Sequence, residues 1–299
     1  MAELAPIVIF PYKRLFHIQQ TIEALKNNTL AAESALYIYS DGPKTNADEE
    51  EVKAVRQYLK TISGFKKIEI TEQKTNLGLS PSILYGVTET VKKYGKVIVL
   101  EDDIVTAKYF LKFMNDALSL YEKDERVTCI SGYIYPVKGK LPNNFFIEGT
   151  ETWGWATWKR SWDANELDGK KILQQLKEKN LIHKMDFYGA YSYSEMLESQ
   201  SKKEIPAWDI LLYAQAVLNH KLTLFPGKPL VANIGHDNSG THCKESTIYK
   251  VELWQNPVPV ESIEVKESKK AHSLFEDFYR RSFNPTLWHR IRRRLKLDK

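Results

Sequence analysis

Between residues 96 and 104 the chain reads Lys96-Val97-Ile98-Val99-Leu100-Glu101-Asp102-Asp103-Ile104. Four apolar, mostly β-branched residues run straight into three consecutive carboxylates. An uninterrupted apolar run of this kind predicts a strand covered on both faces, as in a parallel sheet. Ligands of open α/β sheets sit outside the carboxyl ends of the strands, and that is where these acids fall. Adjacent carboxylates repel one another unless a cation or a hydrogen-bonding ligand neutralises them. A solvated acidic turn is the plain alternative. Directly after a buried strand, the run points instead to a hard-metal site that holds a phosphorylated ligand through a divalent ion.

The flanking sequence supports a parallel sheet. Pro6 to Phe10 predicts a short buried strand, with Pro11-Tyr12-Lys13-Arg14 as the loop at its carboxyl end. Leu15, Ile18, Ile22 and Leu25 recur at helical spacing. Ala35 to Tyr39 predicts a second strand, ending in the turn Ser40-Asp41-Gly42-Pro43. Val52, Val55, Leu59 and Ile62 mark a helix, and Lys67 to Thr71 a third strand. After Asn76-Leu77-Gly78-Leu79, Ser80 is placed to cap a helix with Pro81 in its first position. Alternating strands and helices predict right-handed crossover units of an α/β fold. No Gly-x-Gly-x-x-Gly follows the first strand, which argues against a dinucleotide-binding domain, and no Walker-type loop is present.

Downstream, helices are expected near 108–121, 170–179, 186–200 and 209–219. Strands are expected at 127–130, 222–225 and 229–233. Between them, Glu151-Thr152-Trp153-Gly154-Trp155-Ala156-Thr157-Trp158 gathers three tryptophans around a glycine, and Gly235 to Cys243 forms a polar loop with two histidines. No apolar run is long enough to span a bilayer, and the first residues lack a signal-peptide pattern. Cys129 and Cys243 form no metal or redox spacing, and are expected as free thiols in a reducing cytosol.

Charge is unevenly placed. The net is +5 over 299 residues, yet residues 280–299 alone carry eight Lys or Arg against one acid. The domain itself is therefore not a nucleic-acid-binding surface. In the tail, Phe283, Leu287, Trp288, Ile291 and Leu295 fall near one helical face, with Arg290, Arg292, Arg293, Arg294 and Lys296 around the rest. That profile suits an amphipathic helix on an anionic membrane surface. RNA binding or a disordered basic tail are the alternatives. The expected location is cytoplasmic, peripheral on the inner face of the cell membrane.

Taken together, Asp41 at the tip of the second strand, Asn76-Leu77-Gly78 with Gly86, and Glu101-Asp102-Asp103 resemble a nucleotide-sugar glycosyltransferase of the GT-A fold, family 2-like. The Glu-Asp-Asp form, with Trp208-Asp209 downstream, is similar to the N-acetylglucosaminyltransferase that starts complex N-glycan branching. The resemblance covers residues 5 to 245. It implies a Rossmann-like, mostly parallel sheet flanked by helices, with a C-terminal amphipathic helical tail. The expected division is a catalytic domain over 1–245, split into a nucleotide half (about 5–130) and an acceptor half (about 131–245), followed by an extension over 246–299.

The implied chemistry is metal-dependent, inverting transfer of a hexosyl or N-acetylhexosaminyl group, a UDP-sugar being favoured, to a hydroxyl of a lipid-linked or cell-surface glycan precursor. A departing diphosphate develops charge that Mn²⁺ or Mg²⁺ neutralises. Asp103 is the expected metal ligand, with His242 as a second. Asp102 is expected on a ribose or sugar hydroxyl, Glu101 as an orienting group, and Asp41 on the base N–H. Pro11, Tyr12, Asn76 and Gly78 complete the expected nucleotide contacts. Arg14 or Lys74 approaches the diphosphate or stays a solvated surface charge. Trp153, Gly154 and Trp155 stack on a sugar or belong to the aromatic core, while Glu151 is placed to hold hydroxyls. Asp209 is an N-cap or, by resemblance, the general base. The loop from Gly235 is either merely mobile or a lid. The rival activities are a sugar-phosphate nucleotidyltransferase, whose Gly-rich basic loop is missing after strand one, and a catalytically inactive nucleotide- or glycan-binding module.

Overall fold

The computed structural model describes residues 3–237 and 246–283. It begins with the expected crossover units: β1 (Ile7–Phe10), α1 (Leu15–Lys26), β2 (Ala35–Ser40), α2 (Glu49–Leu59), β3 (Lys67–Glu72), α3 (Leu79–Tyr94) and β4 (Lys96–Glu101). All four strands are parallel, in spatial order β3-β2-β1-β4. Strand β1 therefore lies between β2 and β4, and the direction of winding reverses there. A crevice opens outside the carboxyl ends of β1 and β4 wherever winding reverses, because their loops turn to opposite faces. Register fixes what lines it. Phe10 pairs with Glu101, so Pro11–Arg14 is brought beside Asp102 and Asp103.

The second half contributes β5 (Ile104–Thr106), α4 (Phe110–Leu120), β6 (Val127–Ser131), β7 (Asn144–Glu148) and β8 (Trp155–Trp158). Then come α5 (Lys159–Trp162), α6 (Gly169–Glu178), α7 (Ile182–Met185), α8 (Tyr193–Ser201), α9 (Asp209–Leu218), β9 (Leu222–Pro226), β10 (Val231–Asn233) and α10 (Lys269–Phe283). One eight-stranded sheet runs β3-β2-β1-β4-β8-β6-β9-β7, and β5 pairs with β10 in a small antiparallel ribbon. This is the α/β class expected, a mostly parallel sheet flanked by helices. No helix among the described residues is long and apolar enough to cross a membrane.

Several sequence expectations change. Strand β8 is not among the expected elements; it sits antiparallel between β4 and β6 and is buried on both faces. The helix expected over 186–200 is broken, because Tyr188 and Gly189 take left-handed backbone angles (φ 55° and 78°). Asp186 then accepts from the Ser194 amide and hydroxyl, both at 2.7 Å, and anchors the start of α8. Helix α3 starts at Leu79 after Gly78 (φ 83°), so Ser80 is not its cap. The Ser80 hydroxyl donates instead to the Pro206 carbonyl.

Within the described residues, part of the extension expected over 246–299 packs against the main sheet. Val258, Ala271, Phe275, Phe278 and Tyr279 lie in the same hydrophobic core as β1 and β4. The Trp254 amide donates to the Pro229 carbonyl at 2.9 Å, and the Ser268 amide to the Phe146 carbonyl at 2.9 Å. Phe283 packs its ring against Tyr191, Tyr249, Phe278 and Tyr279. Residues 284–299, where most of the amphipathic tail was expected, lie outside the described residues, as does Cys243. Cys129 is a buried free cysteine in β6, and burial pushes its thiol up to about 12, so it is a packing residue.

The nucleotide half depends on close approach of α3 to the sheet. A Cβ on Gly86 would lie 2.6 Å from Phe10 Cε1 and 2.8 Å from Tyr39 Cδ2, two rings that stack at 5.6 Å. Gly86→Ala is expected to push these rings apart and cost about 1–3 kcal/mol, the usual penalty of overpacking. Thermal unfolding checks this, and an unchanged midpoint would show that α3 is free to shift.

Candidate functional site

The turn Glu101–Asp103 leaves β4 and re-enters β5. The Thr21 hydroxyl of α1 donates to the Asp102 carbonyl at 2.8 Å, and the Ile234 amide after β10 donates to the Asp103 carbonyl at 2.9 Å. The turn is thus tied to both halves of the fold. Both aspartates are buried, 5% and 7% exposed, which is unusual for acids without a counter-charge. Arg14 supplies that charge. Its Nη2 donates to Asp102 Oδ1 and, at 2.8 Å, to Asp103 Oδ2. Asp103 Oδ1 is buried and has no hydrogen-bond partner among the described residues.

Electrostatics follow from this crowding. Burial pushes the Asp102 carboxyl up to about 6, against the pull of Arg14 and with Asp103 adding to the rise. Burial, with repulsion from Asp103, Asp102 and then Asp209, raises Glu101 well above the ordinary carboxylate range. Burial works against the Arg14 charge, yet the two carboxylates raise its pKa above the usual value.

Gly235 closes the back of this cluster. A Cβ there would lie 2.1 Å from Asp103 Oδ2 and 3.0 Å from Arg14 Nη1, so only glycine lets the chain pass. Two residues on, Asp237 Oδ2 lies 3.1 Å from His17 Nε2. The described start of the polar loop is therefore laid against the acids. His242, the expected second metal ligand, lies outside the described residues. His236 Nε2 is buried with no hydrogen-bond partner among the described residues, its ring stacked on Tyr249 and edge-on to Trp153.

Among the described residues, no group of three or more His, Cys, Asp or Glu is arranged as a metal cage. The donors present suit a different kind of site. A hard cation that keeps phosphate and water ligands needs one or two carboxylates, and Asp103 Oδ1 is an unpaired, buried one.

Asp41 does something other than expected. Its Oδ1 accepts from the Gly42 and Leu77 amides, both at 2.8 Å. Its Oδ2 accepts from the Gly78 amide at 2.9 Å and Asn76 Nδ2 at 3.0 Å. Four donors engage its lone pairs, leaving none for a base N–H. Asp41 thus shapes the Asn76–Gly78 loop. Arg56, missed in the sequence among the charges of α2, pins the same corner through the Asp41 carbonyl (3.1 Å) and the Gln73 carbonyl (2.6 Å). Nothing in the pattern of a solvated amphipathic helix singles it out. Pro11 is buried, with its carbonyl accepting from the Asp41 amide, and the Tyr12 hydroxyl accepts from the Lys44 amide at 3.0 Å. Lys74 is exposed.

Of the tryptophans, Trp155 belongs to the core, packed against Trp162 and Trp208. Only 3% of it is exposed, because β8 is covered on both faces, so it offers no open ring to a sugar. Trp153 stays partly exposed, edge-on to Tyr133 and Tyr249. Between them Gly154 (φ 61°) would place a Cβ 2.6 Å from Val231 Cγ1, so it lets β10 cross over. Glu151 Oε2 accepts from the Tyr135 hydroxyl at 2.5 Å, and Oε1 from the Thr152 amide at 3.1 Å. Burial pushes Glu151 up to about 7, with Tyr135 opposing the rise and the charge of Asp209 adding to it. Asp209 is the first residue of α9 rather than its N-cap, which is Trp208. Burial raises its pKa, while its own amide and that of Ile210 partly offset the rise. Glu101, Glu151 and Asp209 keep part of their surface open although protein surrounds them densely. Asp209 acts electrostatically on both glutamates, so the structure brings the three acids into one region.

A carboxyl raised in the folded state favours folding while protonated, and that contribution is lost as pH rises through its folded pKa. For Glu151 the window runs from its ordinary value of 4.5 to about 7. Glu151→Gln is therefore expected to lose less thermal stability than the unaltered protein between pH 5 and 8. Parallel melting curves at the two pH values would refute the shift if both proteins lose the same.

No family model matches the chain, and no curated protein matches it. Among solved structures, the chain is similar to S. aureus TarS 1-349, with TM-score 0.39 and 10% identity over 75% of this chain and 60% of that one. It is also similar to TarS 1-349 in complex with UDP-GlcNAc, with TM-score 0.32 and 11% identity over 47% of this chain and 37% of that one. A third is the mannosyltransferase PcManGT from Pyrobaculum calidifontis in complex with GDP-Man and Mn²⁺, with TM-score 0.38 and 12% identity over 72% and 69%. The match spans 23% of the longer TarS chain, and thus less than two thirds of each TarS structure.

Proposed function

We propose that this protein is a metal-dependent, inverting glycosyltransferase of GT-A type that moves a sugar from a nucleotide sugar to a glycan hydroxyl. The observation that carries the reading is the buried Asp102–Asp103 pair at the β1–β4 switch point, with Asp103 Oδ1 left unpaired. A buried carboxylate oxygen without a donor is costly, and such an atom in a crevice is a place for a ligand.

Asp103 would hold Mn²⁺ or Mg²⁺ through Oδ1. A divalent cation there neutralises charge developing on a departing diphosphate. Asp102, at the same turn, is placed to accept a sugar or ribose hydroxyl once Arg14 turns aside. Asp209 is the proposed general base. Its raised pKa brings it nearer the working pH, which suits a group that must take a proton and release it again. Glu151, fixed by Tyr135, and the open edge of Trp153 would position the acceptor. A UDP-sugar donor and a lipid-linked or cell-surface acceptor remain part of the proposal.

The test is transfer and hydrolysis with UDP-sugars and Mn²⁺. Asp103→Asn should lose Mn²⁺-dependent UDP binding. Asp209→Asn should keep it while cutting transfer by roughly 10²–10⁴-fold, the usual worth of a general base. Proton NMR of the product should show inversion at the anomeric carbon; a retained anomer would remove Asp209 from that role.

We further propose that residues 284–299 carry the protein to anionic membrane at the cytoplasmic face. Each Lys or Arg near such a surface contributes about 1 kcal/mol, and salt screens the attraction. Phe283 belongs to the packed core, so the truncation that tests this follows Phe283. The full chain should co-sediment with anionic but not zwitterionic liposomes and partly release at high salt. The truncated chain should not bind, yet should act on a soluble acceptor. Liposome binding by the truncated protein would place the anchor elsewhere.

A further inference from the structure

A guanidinium already occupies the cleft in which the cation is proposed. Arg14 Nη2 bridges Asp102 Oδ1 and Asp103 Oδ2, and Nε reaches Asp102 Oδ2 at 3.4 Å. Gly235 is packed against Asp103 Oδ2 and Arg14 Nη1, so the bridge has a fitted back wall. One positive charge on two carboxylates leaves the pair short of neutrality, and Asp103 Oδ1 still lacks a donor. A divalent cation would relieve that deficit, but it would face a like charge a few ångströms away while Arg14 stays in place. Arg14 is not locked into a helix and is open at one side. It precedes α1 with φ −92° and ψ 80°, outside the helix, and its side chain remains 20% exposed. A guanidinium binds a diphosphate as well as it binds carboxylates, through the same fork of donors.

We propose that Arg14 is a built-in competitor for the metal site: it holds Asp102 and Asp103 together, and a bound diphosphate draws it off and frees the pair for a divalent cation. Metal and nucleotide then bind cooperatively, and the coupling is reciprocal, each tightening the other by the same factor. The inference rests on the reading of this crevice as a metal–nucleotide site.

The experiment titrates the full-length protein with Mn²⁺, following free Mn²⁺ by electron paramagnetic resonance, with and without saturating UDP. The unaltered protein is expected to bind Mn²⁺ weakly alone and at least tenfold more tightly with UDP. Arg14→Gln is expected to bind Mn²⁺ alone at least tenfold more tightly than the unaltered protein and to gain correspondingly less from UDP, the direct contact of cation with diphosphate supplying the coupling that is left. Arg14→Lys, which keeps a charge but cannot bridge both carboxylates, should fall between them and serves if Arg14→Gln does not fold. UDP coupling in the unaltered protein without tighter Mn²⁺ binding by either variant overturns the role of Arg14 and leaves the site reading intact. Uptake of neither Mn²⁺ nor UDP by the unaltered protein overturns both.

Discussion

Three carboxylates in a row at the end of a buried strand are the constraint on which the rest of this structure depends. Their mutual repulsion, in a place with little water, has to be offset by neighbours, and the neighbours come from distant parts of the chain. Arg14 arrives from the loop after β1 and bonds the carboxylates, while Thr21 from α1 and the Ile234 amide after β10 hold the backbone carbonyls of Asp102 and Asp103, and Gly235 leaves room for the turn. The small β5–β10 ribbon is what delivers that last segment. Charge neutralisation and topology are therefore one problem here: the acids need partners, and the fold is arranged so that partners reach them.

A second buried carboxylate shows the opposite solution. Asp41 draws four neutral donors from its own neighbourhood and is spent on holding the Asn76–Gly78 loop. Asp103 keeps one oxygen unpaired. Both residues are acids at strand tips along the same sheet edge, yet one is structural and the other is poised for a ligand. The distinction lies in which donors the surrounding backbone presents, and it is invisible in residue type or spacing.

The acceptor side is built on tertiary packing. Inserting β8 antiparallel between β4 and β6 buries Trp155 and Trp158 on opposite faces and leaves Trp153 at the strand's entrance. Helix α10 then closes over Tyr135 and Tyr193, supporting the residue that holds Glu151. Glu151 and Asp209, fifty-eight positions apart in the sequence, come within electrostatic reach only through this packing.

The local pattern alone determined the first half of the protein. Apolar runs of strand length, helical spacing between them and turn residues at the tips predict β1 to β4 to within a residue or so and place α1 to α3, although α2 ends at Leu59 rather than Ile62 and α3 begins at Leu79. These signals arise from neighbours a few positions apart, and parallel crossover units leave one simple order of assembly. The acid run after β4 was legible for the same reason, as a like-charge cluster that no local structure could neutralise. What only tertiary structure decided is who neutralises it. Neither the bond from Arg14 to residues 88 and 89 positions away, nor the seat of Gly235 on Asp103, leaves any periodic trace. The same holds for β8, whose Trp-Ala-Thr-Trp run carries too little alternation to separate a buried strand from an aromatic loop. Its strand character comes from hydrogen bonds to partners on both sides, and those partners are supplied by the sheet.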